Sequence, residues 1–306
     1  MEALEARHVS KTYFGRRGRV DALRDVSIEI AKGRLLAFLG RNGAGKTTFI
    51  KIASTLLLPT EGEVRLFGED VVRSPRKVRE QIALVPQEGH PWFHLTPREH
   101  VEEYLRTRGA ARESARARTA EIIEQMGLRP FAEEPSFRLS GGIQQRTLVA
   151  MILATRAPFL FLDEPTLGMD PFARRQVWEV IRRATREGST VLLTTHYLDE
   201  AEQLSEDLAV IEGGRLLYRG SAEALRATIH REVRLQFSSG FSEEELGRYG
   251  KVFHDRDRFT LLTTRREATE LTDVALRRGV AVNAGPVTLE EAFLELVGRG
   301  IEEEEA

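Results

Sequence analysis

The sequence contains no cysteine, only two tryptophans and no apolar run long enough to span a bilayer, and its charges nearly cancel. Each shortage excludes something. Without cysteine there is neither a disulfide framework nor a thiolate metal site, which fits a reducing compartment. With 45 Lys and Arg against 47 Asp and Glu, the net charge of -2 supplies no global pull toward polyanions, so no nucleic acid is expected as a partner. The most apolar stretch, TLVAMILATRAPFLFL from Thr147 to Leu162, is broken by Arg156 and Pro158. It falls short of the roughly 20 residues that a spanning helix needs and reads as a buried helix followed by a buried strand. Any membrane-spanning part is therefore expected on another chain. The opening MEALEARH lacks the apolar run of a secretory leader. A chain of 306 residues has room for one large domain and a smaller one.

What is present begins at LLAFLGRNGAGKTT, where an apolar strand runs through G-x-x-x-x-G-K-T into a helical pattern. Gly40, Gly43 and Gly45 are expected to adopt backbone angles closed to other residues. With Asn42 and Ala44 they would turn successive N–H groups toward phosphate oxygens at a helix N-terminus. Lys46 would neutralise the β- and γ-phosphates of a nucleotide, the Thr47 hydroxyl would ligate Mg²⁺, and Thr48 adds a phosphate donor. At FLFLDEPT, four apolar residues read as a buried parallel strand ending in two acids. Ligands of an open α/β sheet gather at the carboxyl ends of its strands. Asp163 would hold Mg²⁺ through water, and Glu164 would orient or deprotonate an attacking water. The competing reading makes the two acids a turn cap before Pro165. Gln87 closes IALVPQ and His196 closes TVLLTTH, so both are expected on the same edge, Gln87 sensing Mg²⁺ and water and His196 meeting the γ-phosphate. A second glycine loop, LSGGIQQR, precedes a long helical pattern.

The order GRNGAGKTT, Gln87, LSGGIQQR, FLFLDEPT, TLGMD, His196 resembles the ATP-binding subunit of an ABC transporter over about residues 1–225. The resemblance implies a P-loop NTPase core of ABC type with an antiparallel β subdomain and a helical subdomain at about 90–155. It further implies ATP and Mg²⁺ as ligands, a second ATP-binding subunit, separate transmembrane permease subunits, and a place at the cytoplasmic face of the membrane. In this family two subunits pack head to tail, so Ser140, Gly141 and Gly142 would close over the partner's ATP. N–H groups and a helix dipole suit a γ-phosphate arriving from outside. Tyr13 would stack on adenine, with Phe14 as competitor and the covering of a sheet edge as the plainer reading. Asp170 would couple the two sites across the dimer, or simply cap the helix at Pro171. Two departures stand out. LSGGQ has become LSGGI, so Ile143 contributes no side-chain hydrogen bond, and the segment TLGMD keeps only the family's aspartate.

TPREHVEEYLRTRG and ESARARTAEIIEQMGL read as two helices, the first with Thr96 as N-cap and Pro97 at N1. Trp92 and Phe93 form either an exposed socket for a permease helix or subdomain core. The arginines of RTRGAARESARAR read as a solvated face rather than a nucleic-acid patch. After a hairpin turning at Gly213 and Gly214, residues 226–306 form a separate α+β domain. Strands at Val233–Phe237, Val252–His254, Phe259–Thr263 and Val280–Asn283 and helices at Glu243–Tyr249 and Glu267–Arg278 make βαββαβ, a ferredoxin-like unit. A last helix starts at a Thr288/Glu291 capping box, ahead of a solvated IEEEEA tail. This end looks like the ATPases of ABC-2 type exporters. The alternative is a soluble ABC clamp in DNA repair, translation or cofactor assembly. Against it, the chain has no coiled coil between loop and acidic strand and only one cassette.

Overall fold

Strands Leu35–Leu39, Phe159–Asp163 and Thr190–Thr195 are buried at every residue, as continuous apolar runs require when both faces of a parallel sheet are covered. They form the centre of a six-stranded sheet in the order Arg215–Gly220, Asp207–Glu212, Leu35–Leu39, Thr190–Thr195, Phe159–Asp163, Ile82–Val85. The computed structural model describes residues 2–15, 18–237, 240–255 and 258–305. Register places Leu39 beside Thr195, Asp163 beside Thr194 and Val85 beside Leu162. The carboxyl ends are therefore level, and everything that follows them shares one edge.

A second, antiparallel sheet runs Gly18–Ala31, Glu2–Gly15, Glu61–Leu66, Glu69–Asp70. One apolar core joins it to the parallel sheet around the helix Lys46–Ala53, with Leu4, Val26, Phe38, Phe49 and Phe159 all excluded from solvent. Phe38 meets Phe49 edge to face at 5.3 Å, so the strand before the glycine loop grips the helix after it. The helical portion comprises Pro97–Thr107, Arg112–Gln125 and Gly141–Leu153. Thr96 and Glu99 complete a reciprocal capping box at its entrance. Among the described residues no helix is long and apolar enough to cross a membrane.

The chain divides into compact units Met1–Arg219 and Gly220–Ala306, and the helix Ala222–Ala227 belongs to the second. That unit carries an antiparallel sheet in the order Lys251–Asp255, Arg258–Thr263, Val233–Phe237, Val282–Pro286. The helices Glu243–Gly247 and Arg265–Arg277 connect them in ferredoxin-like order, and Leu235, Phe237, Leu261 and Leu271 supply the core. The last strand lies further along the chain than Val280–Asn283. Val280 instead closes the preceding helix, its N–H donating to Ala275 O at 2.9 Å past Gly279 at φ 67°. The final helix, Leu289–Glu305, begins where Glu291 accepts from the Thr288 N–H at 2.7 Å. Its backbone continues through the glutamate run, whose side chains lie outside the described residues.

Candidate active site

Four strand ends build the site. After Leu39 the chain turns at Gly40, where a Cβ would stand 2.4 Å from Ile211 O. This corrects the sequence reading for Gly40: the demand there is for space, not for an unusual angle. Gly43 (φ 86°) and Gly45 (φ 111°) do occupy left-handed backbone, and a Cβ on Gly45 would stand 2.6 Å from Ala22 O. The loop is also braced from outside. Gly214 of the hairpin turn donates to Ala44 O at 3.1 Å and accepts from the Arg24 N–H at 2.8 Å. Sequence reasoning assigned that turn no part in the site.

Lys46 is buried, and its ammonium donates to Gly40 O at 2.7 Å and Arg41 O at 3.1 Å while standing 3.4 Å from Glu164 Oε1. Glu164 is buried too, and it is a non-glycine residue in left-handed backbone (φ 51°). Its N–H is held by the carbonyl and the hydroxyl of Thr194, each at 3.1 Å. That turn aims the carboxylate along the sheet edge, where Oε2 lies 2.5 Å from His196 Nδ1. Lys46, Glu164 and His196, from three different strand ends, thus form one chain of contacts. The cavity before them is lined by Ala22, the whole loop Arg41–Thr48, Gln87 and Glu164.

Asp163 ends its strand fully buried, with the Thr194 hydroxyl donating to Oδ1 at 2.5 Å. Burial pushes its carboxyl above the ordinary aspartate range, against the pull of the Thr194 and Thr47 hydroxyls. The Thr47 hydroxyl donates to Gln87 Oε1 at 3.0 Å. Hydroxyl, amide oxygen and carboxylate make an all-oxygen donor set, which suits a hard divalent cation. Among the described residues no group of three or more His, Cys, Asp or Glu could hold a metal alone. The fit is to a cation that keeps waters and leans on phosphate, as Mg²⁺ does.

The second glycine loop lies in a different cavity, lined by Ser140, Gly141, Gly142, Ile143, Met169 and Asp170 among others, and only Gln87 lines both. Ser140 occupies the N-cap position of Gly141–Leu153, yet its side chain makes no capping bond and is exposed. A Cβ on Gly141 would meet nothing within 4 Å. Asp170 does cap its helix, Oδ1 accepting from the Phe172 and Ala173 N–H groups at 2.9 and 3.0 Å. Within the chain its role is therefore the plainer of the two expected. Tyr13 does not line the phosphate-loop cavity, and it is 39% exposed with the Lys11 ammonium 5.4 Å from its ring centroid. Trp92 and Phe93 are not subdomain core: they are 72% and 64% exposed, and Phe93 stacks on Phe137 at 5.1 Å.

A model of the ABC transporter family matches residues 23–167, which include both glycine loops and the acidic strand. The daunorubicin/doxorubicin resistance ATP-binding protein DrrA of Streptomyces peucetius is 36% identical, across 97% of this chain and 92% of that protein. The chain belongs to the ABC transporter family. DrrA3 of Streptomyces coeruleorubidus, a daunorubicin resistance ATP-binding protein, is 37% identical across 92% of this chain and 93% of its own. Among solved structures, the ATP-binding cassette MJ0796, dimeric in a post-hydrolysis state with ADP and Pi, matches with TM-score 0.66 and 28% identity. The match covers 71% of this chain and 98% of that one. The ABC assignment makes the chain an ATP-binding, ATP-hydrolysing cassette, and the sheet edge just described is where its loop and acids meet.

Proposed function

We propose that this ABC cassette is the ATPase subunit of an ABC-2 type exporter, working as an ATP-joined dimer on separate transmembrane permease subunits at the cytoplasmic face of the membrane. The observation that carries the reading is the contact chain Lys46–Glu164–His196 beside the glycine loop, with a second glycine loop in which the Cβ position of Gly141 meets nothing within 4 Å. The N–H groups from Gly43 to Thr48 would cradle the phosphates of ATP, and Lys46 would balance charge on the β- and γ-phosphates. Glu164 would take the proton from the attacking water, and His196, held at Nδ1 by the same carboxylate, would turn its far edge to the γ-phosphate. Thr47, Gln87 and Asp163 would hold Mg²⁺, which would neutralise charge on the transferring group.

Ser140, Gly141 and Gly142 would complete the site of a second copy. Their uncapped helix end offers N–H groups and the positive end of a dipole to the partner's γ-phosphate. ATP then joins two subunits and hydrolysis releases them, which converts phosphate chemistry into opening and closing. The exposed Trp92 and Phe93 lie in the segment following Gln87, and Phe93 stacks on Phe137 just before the LSGG loop, so they would offer the permease an aromatic foothold. Names of the relatives that speak of daunorubicin and doxorubicin resistance support export as the direction.

Glu164→Gln tests the reading. It should keep ATP affinity, lose turnover by about 10²- to 10⁴-fold, and sediment as a dimer with Mg-ATP. Tagged and recovered from detergent-solubilised native membranes, it should bring down a multi-spanning membrane protein. Recovery of ribosomal, DNA-bound or assembly proteins alone would move the chain to the soluble clamp class.

A further inference from the structure

Glu200 is completely buried, on the short helix Leu198–Leu204 that follows His196. In the sequence HYLDEAEQL it looks like one more solvated acid of an acidic helix, and a carboxyl with no solvent contact has to be explained. Its Oε1 accepts from the Thr166 hydroxyl at 2.8 Å and from the Trp178 indole N–H at 2.8 Å. Thr166 lies in the turn that carries Glu164, and Trp178 lies on the helix Pro171–Arg186 that Asp170 caps. A single oxygen therefore joins the three segments bearing Glu164, Asp170 and His196.

Two further observations point the same way. Burial holds the carboxyl above the ordinary glutamate range against the pull of Thr195, Thr166 and Trp178. One carboxyl oxygen accepting two hydrogen bonds does the joining. Beside it, the His196 ring lies on the Tyr197 ring at 4.1 Å. The Arg174 guanidinium, from the same helix as Trp178, sits 4.9 Å from that ring.

We infer that Glu200 is a positioning residue for ATP turnover, holding the Glu164 turn and the His196 segment in fixed relation to the helix behind Asp170 through Thr166 and Trp178. It does not line the phosphate-loop cavity. The inference rests on the proposal that Glu164 and His196 act at the γ-phosphate. Small misplacements of such groups cost turnover far more than they cost binding.

The test is steady-state ATP hydrolysis by the full chain with Mg²⁺. Glu200→Ala should lower kcat about tenfold or more with KM for ATP within about twofold. Glu200→Gln, whose amide oxygen still accepts from both donors, should return kcat to within about threefold of the parent. An unchanged kcat in Glu200→Ala overturns the inference, as does a parallel change of kcat and KM in Ala and Gln variants alike. Where Glu200→Ala yields no folded protein, Trp178→Phe removes one donor and keeps a ring. A lowered kcat at constant KM supports the inference there, and an unchanged kcat overturns it. Glu164→Gln, assayed alongside, separates the two levels. Turnover lost there but normal in Glu200→Ala defeats this inference alone, whereas turnover retained in Glu164→Gln defeats the site reading beneath it.

Discussion

The two glycine-rich loops differ in what requires their glycines. In the phosphate loop the requirement is internal: a Cβ on Gly40 or Gly45 would strike the carbonyl of Ile211 or Ala22 at 2.4 or 2.6 Å, and Gly43 sits at φ 86°. In the LSGG loop, Gly142 is pressed by Gly168 O at 2.9 Å, but the Cβ position of Gly141 is open for 4 Å in every direction. Among the described residues nothing excludes a side chain at residue 141. One loop is fixed by the fold, and the other, on the proposed reading, is completed by a second copy.

Substitution should expose that difference, and Gly45→Ala should have the largest effect. The offending atom is a backbone carbonyl, which cannot swing aside, and φ 111° is strained for any side chain. We expect a loss of about 2 kcal/mol or more in stability, read by denaturant unfolding. Nucleotide affinity should fall at least about a hundredfold in a fluorescent-ATP titration, because the N–H cradle moves with the backbone. Gly141→Ala should do neither. Alanine at a helix position that it can adopt without strain is neutral or stabilises by roughly 0.5–1 kcal/mol, so melting temperature and ATP affinity should hold. Turnover at saturating ATP should nonetheless drop about tenfold or more, since the added methyl would stand where the partner's γ-phosphate must arrive. A Gly141→Ala chain with normal turnover would remove the contrast.

The same contrast explains what could be read ahead of the structure. Strand ends were legible because parallel strands bury both faces, so FLFLDE announces both its strand and the two acids at its end. The motif order did the rest. Three features of the first unit were not legible, each because the deciding contact comes from far along the chain. The spatial demand at Gly40 comes from Ile211, and the bracing of the loop from Gly214. Burial of Glu200 depends on Thr166 and Trp178, which local periodicity cannot see. In the second unit, valine at 280 has strand propensity, yet the Gly279 turn claims its N–H for the helix end, and pairing with Val233–Phe237 sets the strand at Val282–Pro286. Exposed Trp92 and Phe93 were undecidable for a different reason, since aromatic residues serve cores and docking surfaces equally well.

Asp170 gives the finest test, because it lines the open cavity while also serving its own helix. Both capping bonds fall on Oδ1, and the Ala173 and Phe172 N–H groups, with Arg146 nearby, hold its carboxyl below the ordinary aspartate range. A lowered folded-state value means that the charge stabilises the fold above the unfolded value of 3.8 and that this contribution is lost as pH falls through the folded value. Asp170→Ala removes the cap and should lower the melting temperature by about 3 °C at neutral pH. Asp170→Asn keeps a capping oxygen, so its deficit should be smaller and should vanish in acid, where the parent also becomes neutral. If capping is the whole of its work, turnover in the two variants will follow their stability. We expect instead that Asn, with near-parental melting, still loses turnover about threefold or more at neutral pH, because on the proposed reading the Asp170 carboxylate also couples the two sites of the dimer. Parental turnover in Asp170→Asn would return the residue to its helix.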